Sequence, residues 1–194
     1  DIESLLDHPE LRETDRLTRL RAADTRVEEL TALIADVIEL ARGDERFVET
    51  QEIRFDDVVL EAVERMRGLA PDREFRVDVE PTVVVGEPDR IARAVNNLLD
   101  NACKYSSGAE RIEVVLRAGV LSVRDRGPGI PEAELAHVFD RFYRGRMTRD
   151  QPGSGLGLAI VSQVARAGGG AAWVENRDGG GATFSLRPGP LLDS

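Results

Sequence analysis

Lysine is nearly absent from this chain. Of its 26 basic residues only Lys104 is lysine, and all the others are arginine. A single cysteine, Cys103, excludes an internal disulfide and fits a reducing compartment. There is no basic excess either: the net charge is −10 and the pI near 4.8. Without a basic stripe to neutralise phosphates, nucleic acid is not an expected partner. No apolar run approaches the roughly 20 residues of a membrane helix, and no signal peptide is visible, so direct membrane insertion of these residues is not expected. The chain opens on "DIESLL" with no initiator methionine and reads as a piece of something longer. With 41% hydrophobic residues over 194 positions, it can bury the core of one ordinary domain plus a smaller appendage.

The first 42 residues read as helices. Apolar residues recur at Leu17, Leu20, Val27, Leu30, Ile34, Val37 and Ala41, a coiled-coil-like seam broken only around Asp24. A helix so apolar needs a partner, and "LLDHPELRETD" supplies a turn to a short leading helix. Residues 1–42 are therefore expected to form a partial helical hairpin. Residues 43–54 are polar and read as a linker. From 55 to 187 the spacing alternates: helix at 55–70, strands at 74–79 and 82–85, helix at 87–106, two strands within 111–127, a short helix in 131–145, helix at 157–168, and a closing hairpin of "AAWVEN" and "ATFSLR". This predicts an α+β domain, an α/β sandwich whose mixed, mainly antiparallel sheet is covered on one face by helices. Residues 188–194 are left as a tail.

The helix at 87–106 carries an unusual polar face. Asn97, Asn101, Lys104 and Tyr105 fall at i, i+4, i+7 and i+8, within about 100° of arc. Ile91, Val95, Leu98, Leu99 and Ala102 lie roughly opposite and are expected to face the sheet. Solvated faces in this chain are built from Arg, Glu and Asp, and asparagine is a mediocre helix former. An amide oxygen is a neutral, hard ligand suited to Mg²⁺, and a lysine is a point charge suited to phosphate. Cys103 reads as a small filler.

Three later segments add to this. "DRGPGI" puts Asp125 at a strand end, with Gly127 and Gly129 allowing close backbone approach, and a carboxylate there can accept from an exocyclic amine such as that of adenine. "FDRFYRG" sets Phe139 and Phe142 on one helical side, where core packing is the simple alternative. "GSGLGLAIV" leads Gly153, Gly155 and Gly157 into a helix N-terminus, which suits phosphate. It has neither the Walker lysine nor the Rossmann spacing.

In order, these segments resemble the ATP-binding domain of histidine kinases. "NNLLDNACKYS" looks like its asparagine box, "DRGPGI" its first glycine box, "FDRFYRG" its phenylalanine box and "GSGLGLAIV" its second glycine box. The resemblance covers about residues 55–187, and residues 1–42 look like part of the dimerisation hairpin of sensor kinases. It implies that Asn101 holds Mg²⁺, Lys104 meets phosphate, Tyr105 flanks the nucleotide and Asp125 reads the adenine amine. The implied nucleotide set also includes Gly127, Gly129, Phe139, Phe142, Arg144, Gly153, Gly155, Leu156, Gly157 and Thr183. Arg144 and Arg146 fall in the segment that would be the lid, where a solvated loop is the other reading.

Gyrase, mismatch-repair and heat-shock relatives of this fold usually carry glutamate where this chain has Asn97. That carboxylate can act as general base on water, and an amide cannot. Asn97 and Lys104 are thus the catalytic candidates of a kinase that passes the γ-phosphate of Mg-ATP to a protein histidine, for relay to a response-regulator aspartate. Serine kinases of the anti-sigma type, and a nucleotide-gated dimerisation module without catalysis, are the alternatives. His8 in "DHPELRETD" is superficially similar to the family's acceptor motif, but Pro9 follows directly and suits a turn. His137 reads as a surface residue. The acceptor is expected upstream of Asp1, so this chain alone is not expected to phosphorylate itself. The resemblance further implies a homodimer through the hairpin, and a cytoplasmic domain of a parent anchored in the bacterial cell membrane.

Overall fold

The computed structural model describes residues 50–106, 110–145 and 153–191, with residues 20, 31, 34, 36–39 and 41 from the N-terminal region. The chain divides into two compact units, Asp1–Ala41 and Arg42–Ser194. The described residues of the first are all helical, with Leu20, Ile34, Val37 and Ile38 exposed. His8 and most of the expected hairpin lie outside the described residues, as does Arg146.

The second unit runs β1 (Gln51–Arg54), α1 (Phe55–Leu69), β2 (Phe75–Val79), β3 (Val83–Gly86), α2 (Pro88–Tyr105), β4 (Ile112–Arg117), β5 (Val120–Arg124), α3 (Glu132–Leu135), α4 (Gly157–Ala167), β6 (Ala171–Asn176) and β7 (Ala182–Arg187). Five strands form one sheet in the order β2-β4-β5-β7-β6, parallel between β2 and β4 and antiparallel elsewhere. This is the α+β fold the sequence predicted, with α1, α2 and α4 on one face. Alternation puts Ile112, Val114 and Leu116 of β4, Leu121 and Val123 of β5, and Ala182, Phe184 and Leu186 of β7 in the core. Against them α2 buries Ile91, Val95, Leu98, Leu99 and Ala102, the five positions expected from its periodicity. Truncating one such leucine to alanine costs about 2–5 kcal/mol. α2 lies between α1 and α4, so its polar stripe meets the N-terminal end of α4.

The uncovered face of the sheet is polar. Arg76, Glu113, Arg124, Thr183 and Glu175 form one cross-strand row, with Glu113 accepting ion pairs from Arg124 at 3.6 Å and Arg177 at 3.4 Å. β4 and β5 meet through Ala118 and Gly119, both with positive φ, the two-residue turn that matches strand twist.

Three boundaries depart from expectation. Residues 51–54, read as linker, form β1, antiparallel to β3 with Ile53 inward. A single inward apolar residue was too weak a signal for a strand. The expected tail bridges back to the domain: Leu191 pairs with Val84, and its side chain fills the space beside Gly119. The helix expected within 131–145 is only four residues long. Beyond it the backbone proceeds by tight turns, with His137, Asp140 and Tyr143 N–H groups donating to carbonyls three residues back. It ends at Phe142, whose φ of 62° no helix accommodates.

Candidate functional site

The last two turns of α2 are the anchor of the site. Arg73, in the turn after α1, caps this helix: its Nη2 donates to the carbonyls of Cys103 at 2.8 Å and Ser106 at 3.0 Å. These are terminal carbonyls that lack intrahelical partners, and a cation there also opposes the helix dipole. Arg73 carried no motif, and sequence reading missed it. Cys103, half-buried beside it, has its thiol pushed up to about 11 by burial, so it stays protonated and inert.

From that anchor Asn101 and Tyr105 line a cavity together with Asp125, Gly129, Ile130, Tyr143, Arg144, Leu158, Ala182 and Phe184. Asp125 is buried at its floor, one residue past β5. Its Oδ1 accepts from Gly127 N–H at 2.8 Å and from Ala182 N–H at 3.2 Å. Burial nevertheless raises the pKa of this carboxyl above its ordinary value, against the pull of those N–H groups and of Arg177. Gly127 is needed here because a Cβ would lie 2.4 Å from the Tyr105 carbonyl. That contact locks the glycine loop onto the end of α2.

The remaining polar stripe meets the second glycine segment. A Cβ on Gly153 would lie 2.3 Å from Lys104 Nζ, and one on Gly157 would lie 3.5 Å from Asn97 Oδ1. Lys104 Nζ also stands 5.8 Å from the centre of the Tyr105 ring. Its pKa is lowered by burial and by the positive charge of Arg144, with Asp100 acting the other way. Arg144 lines the cavity, and Lys104 is near enough for the two positive charges to act on each other. Asn97 Nδ2 is buried with no hydrogen-bond partner among the described residues. Such an orphaned donor beside a glycine-rich helix start suits an acceptor-rich ligand.

Not every expected residue reaches the cavity. Thr183 lies in the polar row on the opposite face of the sheet, and Ala182 and Phe184 line the cavity in its place. Side chains alternate along β7, so the neighbour of a lining residue must face away. Phe139 and Phe142 do not line it either, since they are not on one helix: Phe142 is 69% exposed, and Tyr143 and Val138 take the wall. Leu156 is a core side chain, buried ahead of α4. Gly155 packs against the backbone of Phe142 and Tyr143 and accepts the Phe142 N–H at 3.0 Å, which fastens the two ends of the intervening segment. Alternation of Ala182, Phe184 and Leu186 was the signal that would have assigned β7's inward face from sequence.

Residues 86–190 match the family described as histidine kinase-, DNA gyrase B- and HSP90-like ATPase. The chain belongs to this family. Among its ATPase-family relatives is the signal transduction histidine-protein kinase/phosphatase MprB of Mycobacterium sp. (strain KMS), 45% identical over 160 residues, which are 80% of this chain and 31% of that protein. The chain thus spans about a third of the length of the curated relatives it matches. Two solved structures of the same family are similar to it. A mycobacterial sensor histidine kinase MprB has a TM-score of 0.68 at 39% identity, over 73% of this chain and all of that one. The ATP-binding domain of PrrB from Mycobacterium tuberculosis has a TM-score of 0.58 at 30% identity, over 73% of this chain and 98% of that one. This is the fold of the ATP-binding catalytic domain of bacterial two-component histidine kinases.

Proposed function

We propose that this chain binds Mg-ATP and passes its γ-phosphate to a histidine of a dimerisation domain, for relay to a response-regulator aspartate. The observation that carries the reading is a cavity lined together by Asn101, Tyr105, Arg144 and the buried Asp125, with Lys104 on the same helix as Asn101 and against Gly153. A polyanion such as a nucleotide's phosphates is attracted to both Lys104 and Arg144. The buried carboxylate suits the opposite end of the ligand, the adenine amine.

Each group then has a task. Asp125 accepts the amine through Oδ2, because Oδ1 is taken by two backbone N–H groups. Tyr105, Ile130 and Phe184 supply apolar wall, and Lys104 with Arg144 neutralises phosphate. Among the described residues no cluster of three or more His, Cys, Asp or Glu exists to hold a metal ion. A magnesium ion here would be held by the Asn101 amide oxygen, a neutral, hard ligand. It would supply charge neutralisation of phosphate. Asn97, an amide beside Gly157, cannot take a proton from water, so the site favours transfer to a protein nucleophile over hydrolysis.

The parent protein is read as anchored in a bacterial membrane with this domain on the cytoplasmic side, working as a homodimer through its hairpin. Among the described residues no helix is long and apolar enough to cross a membrane. The test is to mix the chain with labelled ATP, Mg²⁺ and a separate dimerisation segment bearing an acceptor histidine. Acid-labile label on that segment, and none on this chain alone, is expected. Acid-stable label would indicate a serine kinase, and no transfer despite ATP binding would leave a non-catalytic module.

A further inference from the structure

Asn176, the last residue of β6, belongs to none of the segments that resemble a motif, yet it is wired to the cavity wall. Its carboxamide makes two hydrogen bonds to the backbone of Ile130: the Ile130 N–H donates to Oδ1 at 2.8 Å, and Nδ2 donates to the Ile130 carbonyl at 2.7 Å. A side chain here reproduces the paired bonds that two strand residues would exchange. The fit is tight, since a Cβ on Gly129 would lie 3.2 Å from Asn176 Oδ1. Gly129, Ile130 and Pro131 are all lining residues of the cavity.

The other end of the same loop is held by the same hairpin. Arg177 Nη1 donates to the Asp125 carbonyl at 3.0 Å, and its N–H donates to the Gly181 carbonyl at 3.0 Å. Gly181, with φ of 88°, abuts the Asp125 carbonyl so closely that a Cβ would lie 2.2 Å from it. The turn between β6 and β7 therefore grips the 125–130 loop at both ends. At Asp125 the grip is redundant, through strand pairing and Arg177. At Ile130, among the described residues, it rests on the Asn176 amide.

We propose that Asn176 is a positioning residue for the base-binding wall: by fixing Ile130 relative to Asp125 it sets how tightly the purine ring is held, without touching the phosphate end. This rests on the nucleotide reading above. Losing the amide frees the loop in the unbound protein, and the ligand must then restore its order on binding. Nucleotides that differ only in phosphate number should suffer equally.

The test is calorimetric titration of ATP and AMP, with Mg²⁺, into wild type, Asn176→Ala and Asn176→Asp. For Asn176→Ala, Kd is expected to rise about tenfold for both nucleotides, on the scale of one hydrogen bond, with one site per chain retained. Asn176→Asp keeps an acceptor for the Ile130 N–H but loses the donor, and should fall between. An unchanged Kd with fewer sites per chain would mean a merely structural role and overturn the proposal. A loss confined to ATP would overturn the placement at the base. Wild type that binds neither nucleotide would overturn the nucleotide reading itself, and this inference with it.

Discussion

Asp125 and Ala182 are tied in both directions: the Asp125 N–H donates to the Ala182 carbonyl at 3.0 Å, and the Ala182 N–H returns to Asp125 Oδ1 at 3.2 Å. One carboxylate oxygen is thus committed to the backbone. The glycine loop and the last strand are joined through this side chain.

The first prediction concerns pH. Burial raises the pKa of Asp125, so the folded protein holds its proton to higher pH than the unfolded chain does. Stability from this group is therefore greatest below the ordinary carboxylate value and declines as pH rises through the raised one. Nucleotide binding runs the other way, because it uses the ionised form. ATP affinity is expected to fall on acidification before an ordinary carboxylate would titrate. Asp125→Asn should weaken ATP by about 1.5–3 kcal/mol and flatten that acid limb. Calorimetry of both proteins across the acid range checks it, and parallel pH profiles would refute the role.

The second separates crowding from backbone strain. Gly179 and Gly181 have nearly the same φ, 86° and 88°, but only Gly181 has backbone within reach of an added Cβ. Gly179→Ala should cost about 1–2 kcal/mol, the left-handed penalty alone. Gly181→Ala adds a collision with Asp125 and should lose a further 1–3 kcal/mol. Urea melts of the two variants that coincide would show that the close approach is not there.

For the helix anchor, Arg73→Ala should destabilise the domain by about 1.5–3 kcal/mol, the worth of hydrogen bonds from a charged donor. Because the cap holds the turn bearing Asn101, Lys104 and Tyr105, ATP should be weakened more than adenosine. Arg73→Lys keeps the charge without the planar fork and should recover only part of the stability. Equal loss for ATP and adenosine in titrations would argue against transmission through α2.

Lys104→Met probes the phosphate end. It removes the chain's only lysine while leaving the Tyr105 wall, so ATP and ADP should weaken by about 1.5–3 kcal/mol and adenosine hardly at all. Asn101→Ala should instead blunt the Mg²⁺ dependence of ATP binding. A magnesium titration indistinguishable from wild type would remove Asn101 from metal binding.

Much of this was legible without coordinates. The buried face of α2 follows from spacing alone, because a helix turns each residue by a fixed angle and Ile91, Val95, Leu98, Leu99 and Ala102 fall within about 100° of one arc. The joining of β4 to β5 and the hairpin of β6 and β7 were legible because neighbours in sequence pair through short turns. β1 was not, because its only inward residue, Ile53, marks no period. Phe142 misled, because helical spacing in a sequence does not exclude a left-handed residue that tight turns impose.

By itself, then, the sequence determined the order of elements from α1 onward, the polar stripe of α2 and the glycine segments that face it, all of which depend on residues within a few positions of one another. Only the tertiary structure decided that Ala182 pairs with Asp125 at the cavity, that Arg73 caps α2, and that Asn176 holds Ile130. Each of those is a pairing across dozens of residues, set by strand register and by which loops the packed core brings together. A one-residue shift of register would reverse the face of every side chain on β7, and the local pattern within the glycine loops would not change at all.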